Sequence, residues 1–263
     1  MKELPEEMKK IICIANQKGG VGKTTTAINL SASLAAAERK TLLIDCDPQG
    51  NATSGVGIDP STINEKNLYY ALIQDAPFEE TVFKTQIPTL DIIPSNQDLI
   101  GVEIEFVSLS NREKRLRNFL KKIDSSYEFI IIDCPPSLGF LTVNALVASD
   151  LLIVPLQCEY FALEGLGRLL NNVKLVQARL NPSLSLAGIL LTMFDKRNRL
   201  SHQVADEARS FFGSNVFKTV IPRNVRLSES PSHGLPIILY DIKSRGAVSY
   251  MALAREIMTN GRI

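Results

Sequence analysis

A glycine-rich segment near the start of the chain limits the possible folds more than any other stretch. It reads Lys18-Gly19-Gly20-Val21-Gly22-Lys23-Thr24-Thr25-Thr26. An apolar run at 11–15 precedes it, and a helix is predicted over 27–37. Glycines let backbone N–H groups turn toward phosphate oxygens, and the following helix adds the positive end of its dipole. Strand, glycine-rich turn and helix in this order therefore predict a nucleotide-phosphate site.

Two residues at the end of this segment have side chains suited to a nucleotide. Lys23 can reach the β- and γ-phosphates, and the Thr24 hydroxyl can ligate Mg²⁺. The usual pattern places a glycine five residues before Gly22, but Gln17 stands there and Lys18 stands beside it. The loop is therefore a variant of the common phosphate-binding pattern.

Length and composition indicate a globular protein with a full core. The chain has 263 residues, of which 45% are hydrophobic and 22% are charged, within the range of one α/β domain. No apolar run approaches the roughly 18 residues that span a bilayer, and the charged start is not typical of a secretory signal. We expect a polar extension over 1–9 and one domain over 10–263.

Cysteine and histidine usage argues against a metal centre built from these residues. No C-x-x-C spacing occurs, and the two histidines lie in separate segments. The cysteines sit in or beside apolar runs, so buried free thiols in a reducing compartment are favoured. The four are Cys13, Cys46, Cys134 and Cys158.

Charge is distributed unevenly although the net charge is only +1. Residues 191–263 contain 11 Lys and Arg against 6 Asp and Glu, whereas the remainder contains 18 against 22. A basic surface toward the carboxyl terminus can bind a polyanion or can simply be a solvated face. Charge alone leaves both interpretations open.

Apolar patterning predicts alternating strands and helices. Strands are predicted at 11–15, 41–44, 90–93, 129–133, 151–154, 187–191 and 216–221. Further helices are predicted at 68–73, 98–107, 111–123, 163–179, 201–212 and 246–258, with a loop at 50–57. The basic helix at 111–123 keeps helical apolar spacing, which favours a solvated outer face. The alternation predicts an α/β fold, a mostly parallel twisted sheet with helices on both faces.

Aspartates follow two of the predicted strands. Asp45 and Asp47 come after 41–44, and Asp133 ends the run at 129–133. Carboxyl ends of parallel strands share one edge of a sheet, so these side chains should lie near the glycine-rich loop. Asp133 has the form of the Walker B aspartate that helps to hold Mg²⁺. Cys134 stands where many ATPases have a water-activating glutamate, which leaves Asp47 as the candidate for positioning water.

These strings together resemble a known family, the deviant-Walker ATPases and, more narrowly, the ParA/Soj chromosome- and plasmid-partitioning ATPases. The resemblance covers nearly the whole chain beyond its first eight or so residues. The strings are Asn16 through Thr26, Asp45 through Ser54, Asp133 to Ser137, Gln157-Cys158-Glu159-Tyr160, Val220 to Glu229 and Pro231-Ser232-His233-Gly234.

The resemblance implies a single-domain P-loop ATPase that binds ATP and Mg²⁺ and dimerises around two nucleotides. Lys18 would reach the nucleotide of the partner copy, and Gly19 would lie at the dimer contact. Asp47 would be needed for hydrolysis, Asp45 would support the Mg²⁺ shell, and Asp133 would act on Mg²⁺ through water. The implied metal residues are Thr24, Asp45, Asp47 and Asp133. The implied catalytic residues are Lys18, Lys23 and Asp47. The implied nucleotide contacts are Lys18, Gly19, Gly20, Val21, Gly22, Lys23, Thr24 and Thr25, with Pro222, Arg223 and Asn224 against the adenine.

The resemblance also implies partners. The ATP dimer would bind double-stranded DNA without sequence preference, and a ParB-type centromere-binding protein would stimulate an otherwise slow hydrolysis and release the dimer. Such a protein is cytoplasmic and associated with the nucleoid. The implied DNA contacts are Arg197 and Arg226, and more weakly Arg199, Arg223, Lys243 and Arg245.

Other functions are weighed against this interpretation. A MinD-like ATPase that positions itself on membranes needs a basic amphipathic carboxyl-terminal helix, but the stretch after Met251 contains only two arginines and no lysine. An electron carrier like the nitrogenase iron protein needs paired cysteines at a cluster, and the spacing of Cys134 and Cys158 does not suit one. No substrate pocket of a metabolic P-loop enzyme is evident. A role in transcription or replication initiation stays open.

Overall fold

The apolar runs form one central sheet. The computed structural model describes residues 9–123, 126–159 and 162–259, and within them seven strands are hydrogen-bonded in the order β3-β4-β2-β5-β1-β6-β7. All neighbours are parallel except β3 and β4. The strands are β1 (Lys10–Ile14), β2 (Thr41–Asp45), β3 (Phe83–Lys84), β4 (Leu90–Ile93), β5 (Phe129–Asp133), β6 (Leu151–Gln157) and β7 (Ser185–Thr192).

Helices cover both faces of this sheet, which is why the central strands are apolar on both sides. The helices are α1 (Lys23–Ala36), α2 (Asn51–Gly55), α3 (Leu68–Ile73), α4 (Phe78–Thr81), α5 (Gly101–Glu105), α6 (Arg115–Leu120), α7 (Phe140–Ala148), α8 (Ala162–Arg179), α9 (Arg199–Phe212), α10 (Val225–Glu229), α11 (Ile237–Tyr240) and α12 (Arg245–Thr259). Short 3₁₀ turns lie at Pro60–Thr62, Gln97–Ile100, Phe106–Ser108, Arg112–Lys114, Gly213–Asn215 and Ser230–His233.

The core divides into two layers because neighbouring residues of a strand face opposite sides. On β1, Cys13 belongs to the layer that includes residues of α3 and α5 to α9, whereas Ile12 and Ile14 belong to the layer that includes residues of α1 and α12. The four cysteines are buried and free, as predicted. The predicted mostly parallel α/β sheet with helices on both faces is confirmed, and the fold is that of a single-domain P-loop NTPase. Residues 1–8 of the predicted polar extension lie outside the described residues.

Several predicted elements were wrong in detail. Residues 216–221 form no strand, because only isolated bridges join Val216 to Ile189 and Pro222 to Phe194. The predicted loop at 50–57 contains helix α2. The predicted helix at 98–107 is an α turn between two 3₁₀ turns, and the helix at 111–123 is likewise shortened to a 3₁₀ turn and α6. Strand β3 and helices α4, α7, α10 and α11 were not predicted.

Strand register brings the predicted site residues to one edge. Ile14 pairs with Asp133 across β1 and β5, and Asp45 pairs with Asp133 across β2 and β5. The glycine-rich loop leaves β1 at this same edge and enters α1 at Lys23. The loop and the aspartates therefore meet at the carboxyl ends of three adjacent strands.

Candidate nucleotide-binding site

The glycine-rich loop has a backbone that requires glycine. Gly20 and Gly22 adopt φ of 73° and 88°, a left-handed conformation that is costly for residues with a Cβ. Gly22 is the N-cap of α1, no side chain caps this helix, and no acidic residue lies in its first turn. The Thr192 hydroxyl at the end of β7 donates to the Val21 carbonyl oxygen at 2.8 Å. The helix therefore presents uncapped N–H donors and its positive end beside a loop braced from β7, an arrangement suited to phosphate.

Lys23 is buried at the start of α1 and close to acidic groups. Its Nζ donates to the Lys18 carbonyl oxygen at 3.3 Å. Desolvation lowers the pKa of Lys23, and the nearby Asp133 and Asp47 oppose this effect. A buried cation next to a glycine-rich loop attracts phosphate oxygens more strongly than an exposed one, because little water is present to screen the charges.

Lys18 projects to the surface rather than into its own loop. Its Nζ forms an ion pair with the Glu159 carboxylate at 2.9 Å, and both side chains are about half exposed. The Lys18 backbone N–H is bound by the Asn16 side chain at 3.0 Å. In this single chain Lys18 therefore contacts the segment after β6, a partner that the sequence did not reveal.

The carboxylate of Asp133 is buried without a hydrogen-bond partner. Its side chain has no solvent exposure, and neither oxygen is hydrogen-bonded. Burial raises the pKa of Asp133 well above its usual range, and the charge of Asp45 adds to this effect, whereas the nearby Thr24 hydroxyl and Lys23 lower the pKa. Unsatisfied buried carboxylates are uncommon, and a cation beside this one would remove the penalty.

Asp45 is buried as deeply but is fully hydrogen-bonded. Its Oδ2 accepts the Thr53 N–H at 2.8 Å and the Thr53 hydroxyl at 2.7 Å, and its Oδ1 accepts the Asp47 N–H at 3.2 Å. Burial raises the pKa of Asp45 to about 6 although the bonds from Thr53 oppose the shift. Both oxygens are engaged within the protein, which suits a supporting position better than direct contact with a metal.

The donors at this edge fit Mg²⁺ only as part of a larger shell. Among residues 9–123, 126–159 and 162–259, no three His, Cys, Asp or Glu side chains converge as a ready metal site. Mg²⁺ commonly binds through one or two carboxylates and completes its octahedron with phosphate and water oxygens. The unpartnered Asp133, with Thr24 and Asp47 close by, meets that requirement.

A cavity of about 480 Å³ opens from the glycine-rich loop. Its lining includes Gly22 and Thr25 together with the predicted adenine contacts Pro222, Arg223 and Asn224. Tyr250 of α12 also lines it, and its hydroxyl lies 3.2 Å from that of the buried Thr26 in α1. A volume of this size is typical of small-ligand sites. Two of the eight predicted loop contacts and all three predicted base contacts therefore line one cavity.

A basic groove lies beside this cavity and shares four lining residues with it. Its charged lining residues are Lys196, Arg197, Arg209, Arg223, Lys243 and Arg245, against the single carboxylate of Asp195. Four of the six predicted DNA contacts are among them, and Lys196 and Arg209 were not predicted. Asp195, Pro222, Arg223 and Asn224 line both the cavity and the groove. We call these four residues the shared wall.

The two other predicted DNA contacts do not line the groove. Arg226 is paired with Glu229 at 3.0 Å and lies 3.6 Å from Asp241, so acidic neighbours already compensate its charge. Arg199 is an exposed residue at the start of α9. Arg197, by contrast, has a side chain that is 91% exposed even though it contacts Asp195 at 3.3 Å.

Fold and site together define a P-loop nucleoside triphosphatase. The family model described as "AAA domain" matches residues 9–186. The chain is 58% identical over 249 residues to the chromosome partitioning protein ParA of Myxococcus xanthus, which covers 95% of this chain and 88% of that protein. It is 55% identical over 254 residues to the sporulation initiation inhibitor protein Soj of Bacillus subtilis, covering 97% and 100% of the two chains. The chain belongs to the ParA/Soj family of chromosome-partitioning proteins.

A solved structure shares the architecture. Cobyrinic acid a,c-diamide synthase from Mycobacterium smegmatis, with bound ADP and magnesium, superposes with a TM-score of 0.85 at 35% identity, over 97% of this chain and 96% of that one. Within the described part of the present chain, no helix is both long and apolar enough to cross a membrane.

Proposed function

We propose that this protein is a DNA-segregation ATPase that binds ATP with Mg²⁺ and hydrolyses it slowly. The observation that carries the proposal is the continuity of the site. One cavity is lined both by Gly22 of the glycine-rich loop and by Pro222, Arg223 and Asn224. The buried Lys23 follows Gly22 directly and lies close enough to the unpartnered Asp133 to feel its charge. The ADP and magnesium bound to the related structure support the same ligands here.

The residues have separable roles in this proposal. Lys23 and the loop N–H groups bind the phosphates, while Thr24 and Asp133 serve the Mg²⁺ shell with support from Asp45. Mg²⁺ would neutralise charge on the phosphates. Asp47 positions the attacking water, because residue 134 offers a thiol instead of a carboxylate.

ATP binding drives a dimer with two nucleotides at its interface. Lys18 then leaves Glu159 for the partner's nucleotide, which costs little because an ion pair between half-exposed groups is worth only about 0–1 kcal/mol. Gly19 has no atom within 4 Å of a Cβ built on it, so a side chain fits in one chain and would obstruct only a second copy.

The dimer binds DNA through the basic groove. Each chain contributes six cations and one carboxylate there, and a dimer doubles the number of phosphate contacts. Affinity rises steeply with the number of phosphates neutralised and falls with salt. Hydrolysis, stimulated by a ParB-type partner, separates the two copies and releases the DNA. In this proposal the protein is cytoplasmic and associates with the nucleoid while ATP is bound.

Retention of random-sequence duplex DNA at low salt tests this function. Wild type, Arg197→Glu and the control Arg168→Glu are compared with ATP, ADP and no nucleotide. Arg168 lies on α8, outside the groove, and is paired with Glu164, so its substitution makes the same charge change elsewhere. We expect retention with ATP only, lost in Arg197→Glu and at raised salt but kept in the control. Binding regardless of nucleotide contradicts the dimer switch. Binding to anionic vesicles instead of DNA would favour the membrane-positioning alternative.

A further inference from the structure

A closed ring of hydrogen bonds connects Asp45, at the end of β2, and Asp47, just beyond it, to Ser95, which lies two residues after β4. The Ser95 hydroxyl donates to the Asp47 carbonyl oxygen at 2.7 Å, and the Ser95 N–H donates to the Thr53 hydroxyl at 2.9 Å. The Thr53 hydroxyl donates in turn to Asp45 Oδ2 at 2.7 Å. The Asp47 N–H donates to Asp45 Oδ1 at 3.2 Å and closes the ring.

Every member of the ring is buried. Asp45, Thr53 and Ser95 have no exposed surface, and Asp47 is 8% exposed. Water therefore cannot replace a bond that is lost, and each bond restrains its neighbours more than it would at the surface. The ring fixes the backbone of Asp47 on both sides of its Cα, through its N–H and its carbonyl oxygen.

The Asp47 side chain is also oriented from this loop. Its Oδ1 accepts the Gln49 N–H at 3.0 Å. The loop passes so close to β4 that a Cβ on Gly50 would lie 2.9 Å from the Ser95 carbonyl oxygen, and Gly50 adopts φ of +63°. The position of the Asp47 carboxylate is therefore set by the hydrogen bond between Ser95 and the Asp47 backbone and by the turn at Gln49 and Gly50.

We infer that Ser95 and Thr53 are positioning residues for hydrolysis, acting through Asp47. The inference rests on the proposed function of Asp47 in placing the attacking water. A displaced catalytic group lowers the rate of the chemical step far more than it lowers ground-state binding. Loss of the Ser95 or Thr53 hydroxyl should therefore reduce kcat while KM for ATP and the phosphate contacts of the loop are retained.

The test compares two buried serines whose hydroxyls each donate one 2.7 Å hydrogen bond to a backbone carbonyl oxygen. Ser95→Ala removes a buried hydroxyl that donates to a backbone carbonyl at 2.7 Å. Ser149→Ala removes a buried hydroxyl that donates to the Ala145 carbonyl at the same 2.7 Å, but Ser149 precedes β6 at the opposite edge of the sheet. We expect similar losses in thermal stability from both, a roughly tenfold lower kcat in Ser95→Ala only, and unchanged KM for ATP in both.

Substitutions of Thr53 provide a second, independent pair. Thr53→Val keeps the shape and the backbone N–H bond to Asp45 but deletes the hydroxyl, whereas Thr53→Ser keeps the hydroxyl. The valine variant should lose kcat as Ser95→Ala does, and the serine variant should recover most of it. If Ser95→Ala does not fold, the two Thr53 variants still test the positioning role.

The outcomes distinguish this inference from the proposed function. Equal kcat in Ser95→Ala and Ser149→Ala, or in Thr53→Val and Thr53→Ser, would overturn the positioning role while the ATPase proposal stands. A wild-type chain that hydrolyses no ATP overturns both.

Discussion

Asp133→Asn should stabilise the nucleotide-free protein while it abolishes its response to Mg²⁺ and ATP. The wild-type carboxyl group is fully buried, its two oxygens have no hydrogen-bond partner, and Asp45 lies on the adjacent strand. Asparagine has nearly the same shape but no charge. The substitution therefore removes a repulsion that the wild-type carboxyl group can relieve only by taking up a proton or by binding a cation.

The size of the effect follows from the cost of one unsatisfied buried group, about 1–3 kcal/mol and more when the group is charged. Asparagine removes only part of this cost, because its amide group is also buried and because the attraction between the Asp133 carboxylate and Lys23 is lost. We expect the free energy of unfolding of the nucleotide-free chain to rise by about 1–2 kcal/mol. Ligand at a hundred times its Kd adds roughly 2.7 kcal/mol to a protein that binds it, and the variant should lose this gain.

Urea unfolding with and without Mg²⁺ and ATP measures both effects. Asp150→Asn is the control, because Asp150 Oδ2 accepts the Ile11 N–H at 2.9 Å and lies at the opposite edge of the sheet. The control should not become more stable and should keep its response to the ligand. The reasoning fails if Asp133→Asn is less stable than wild type without ligand, or if Mg²⁺ and ATP stabilise it as much as they stabilise wild type.

Three further predictions concern pH, the turn after β2 and the groove. Burial raises the pKa of Asp45 to about 6, whereas the pKa of an aspartate in the unfolded chain is about 3.9. The contribution of Asp45 to the free energy of unfolding is therefore fully present below about pH 4, and up to roughly 3 kcal/mol of it is lost as the pH rises through 6. The stability difference between wild type and Asp45→Asn, measured by urea unfolding without Mg²⁺, should therefore shift in favour of the variant from pH 5 to pH 7, and a constant difference would contradict the assignment. Gly50 and Gly22 both adopt the left-handed conformation, with φ and ψ of 63° and 26° and of 88° and 28°, so alanine at either position costs about 1–2 kcal/mol. A Cβ on Gly50 would lie 2.9 Å from a backbone oxygen, whereas the nearest atom to a Cβ on Gly22 is 3.8 Å away. Calorimetry of the nucleotide-free protein should therefore show a larger loss of stability in Gly50→Ala, and equal losses would refute the contact. Arg197→Ala should lower the slope of log K for DNA against log salt by about 1 per chain, and Arg226→Ala, already compensated by two acidic neighbours, should lower it less.

The sheet could be predicted because its strands are continuous apolar runs, and the loop could be predicted because only glycines fit its backbone. The aspartates followed from the rule that parallel strands end at one edge. Residues 216–221 have the same apolar character as a strand, but hydrogen bonding with β7 is limited to isolated bridges. Helix α2 has a glycine N-cap without a side-chain cap, so the usual start signal for a helix is missing.

The residues that surround the site were harder to predict. Ser95 is 48 positions from Asp47 and 42 from Thr53, so their hydrogen bonds exist only after β2 and β4 pair. Lys18 and Glu159 are separated by 141 positions. Each residue lies in a sequence string that resembles the family, but no local pattern indicates that these two side chains contact each other. The roles of the predicted nucleotide, metal and DNA contacts remain predictions for the experiments above.

The shared wall limits what genetics can separate in this protein. Residues 195 and 222–224 face the cavity on one side and the basic groove on the other, so an altered side chain there disturbs two activities at once. Alleles that weaken DNA association without weakening ATP binding should instead map to Lys243 and Arg245, which line only the groove. Alleles at Thr25 and Thr192, which line only the cavity, should weaken ATP binding and, through the dimer, DNA association as well. A screen that scored either phenotype by itself would assign the wall to whichever function it happened to measure.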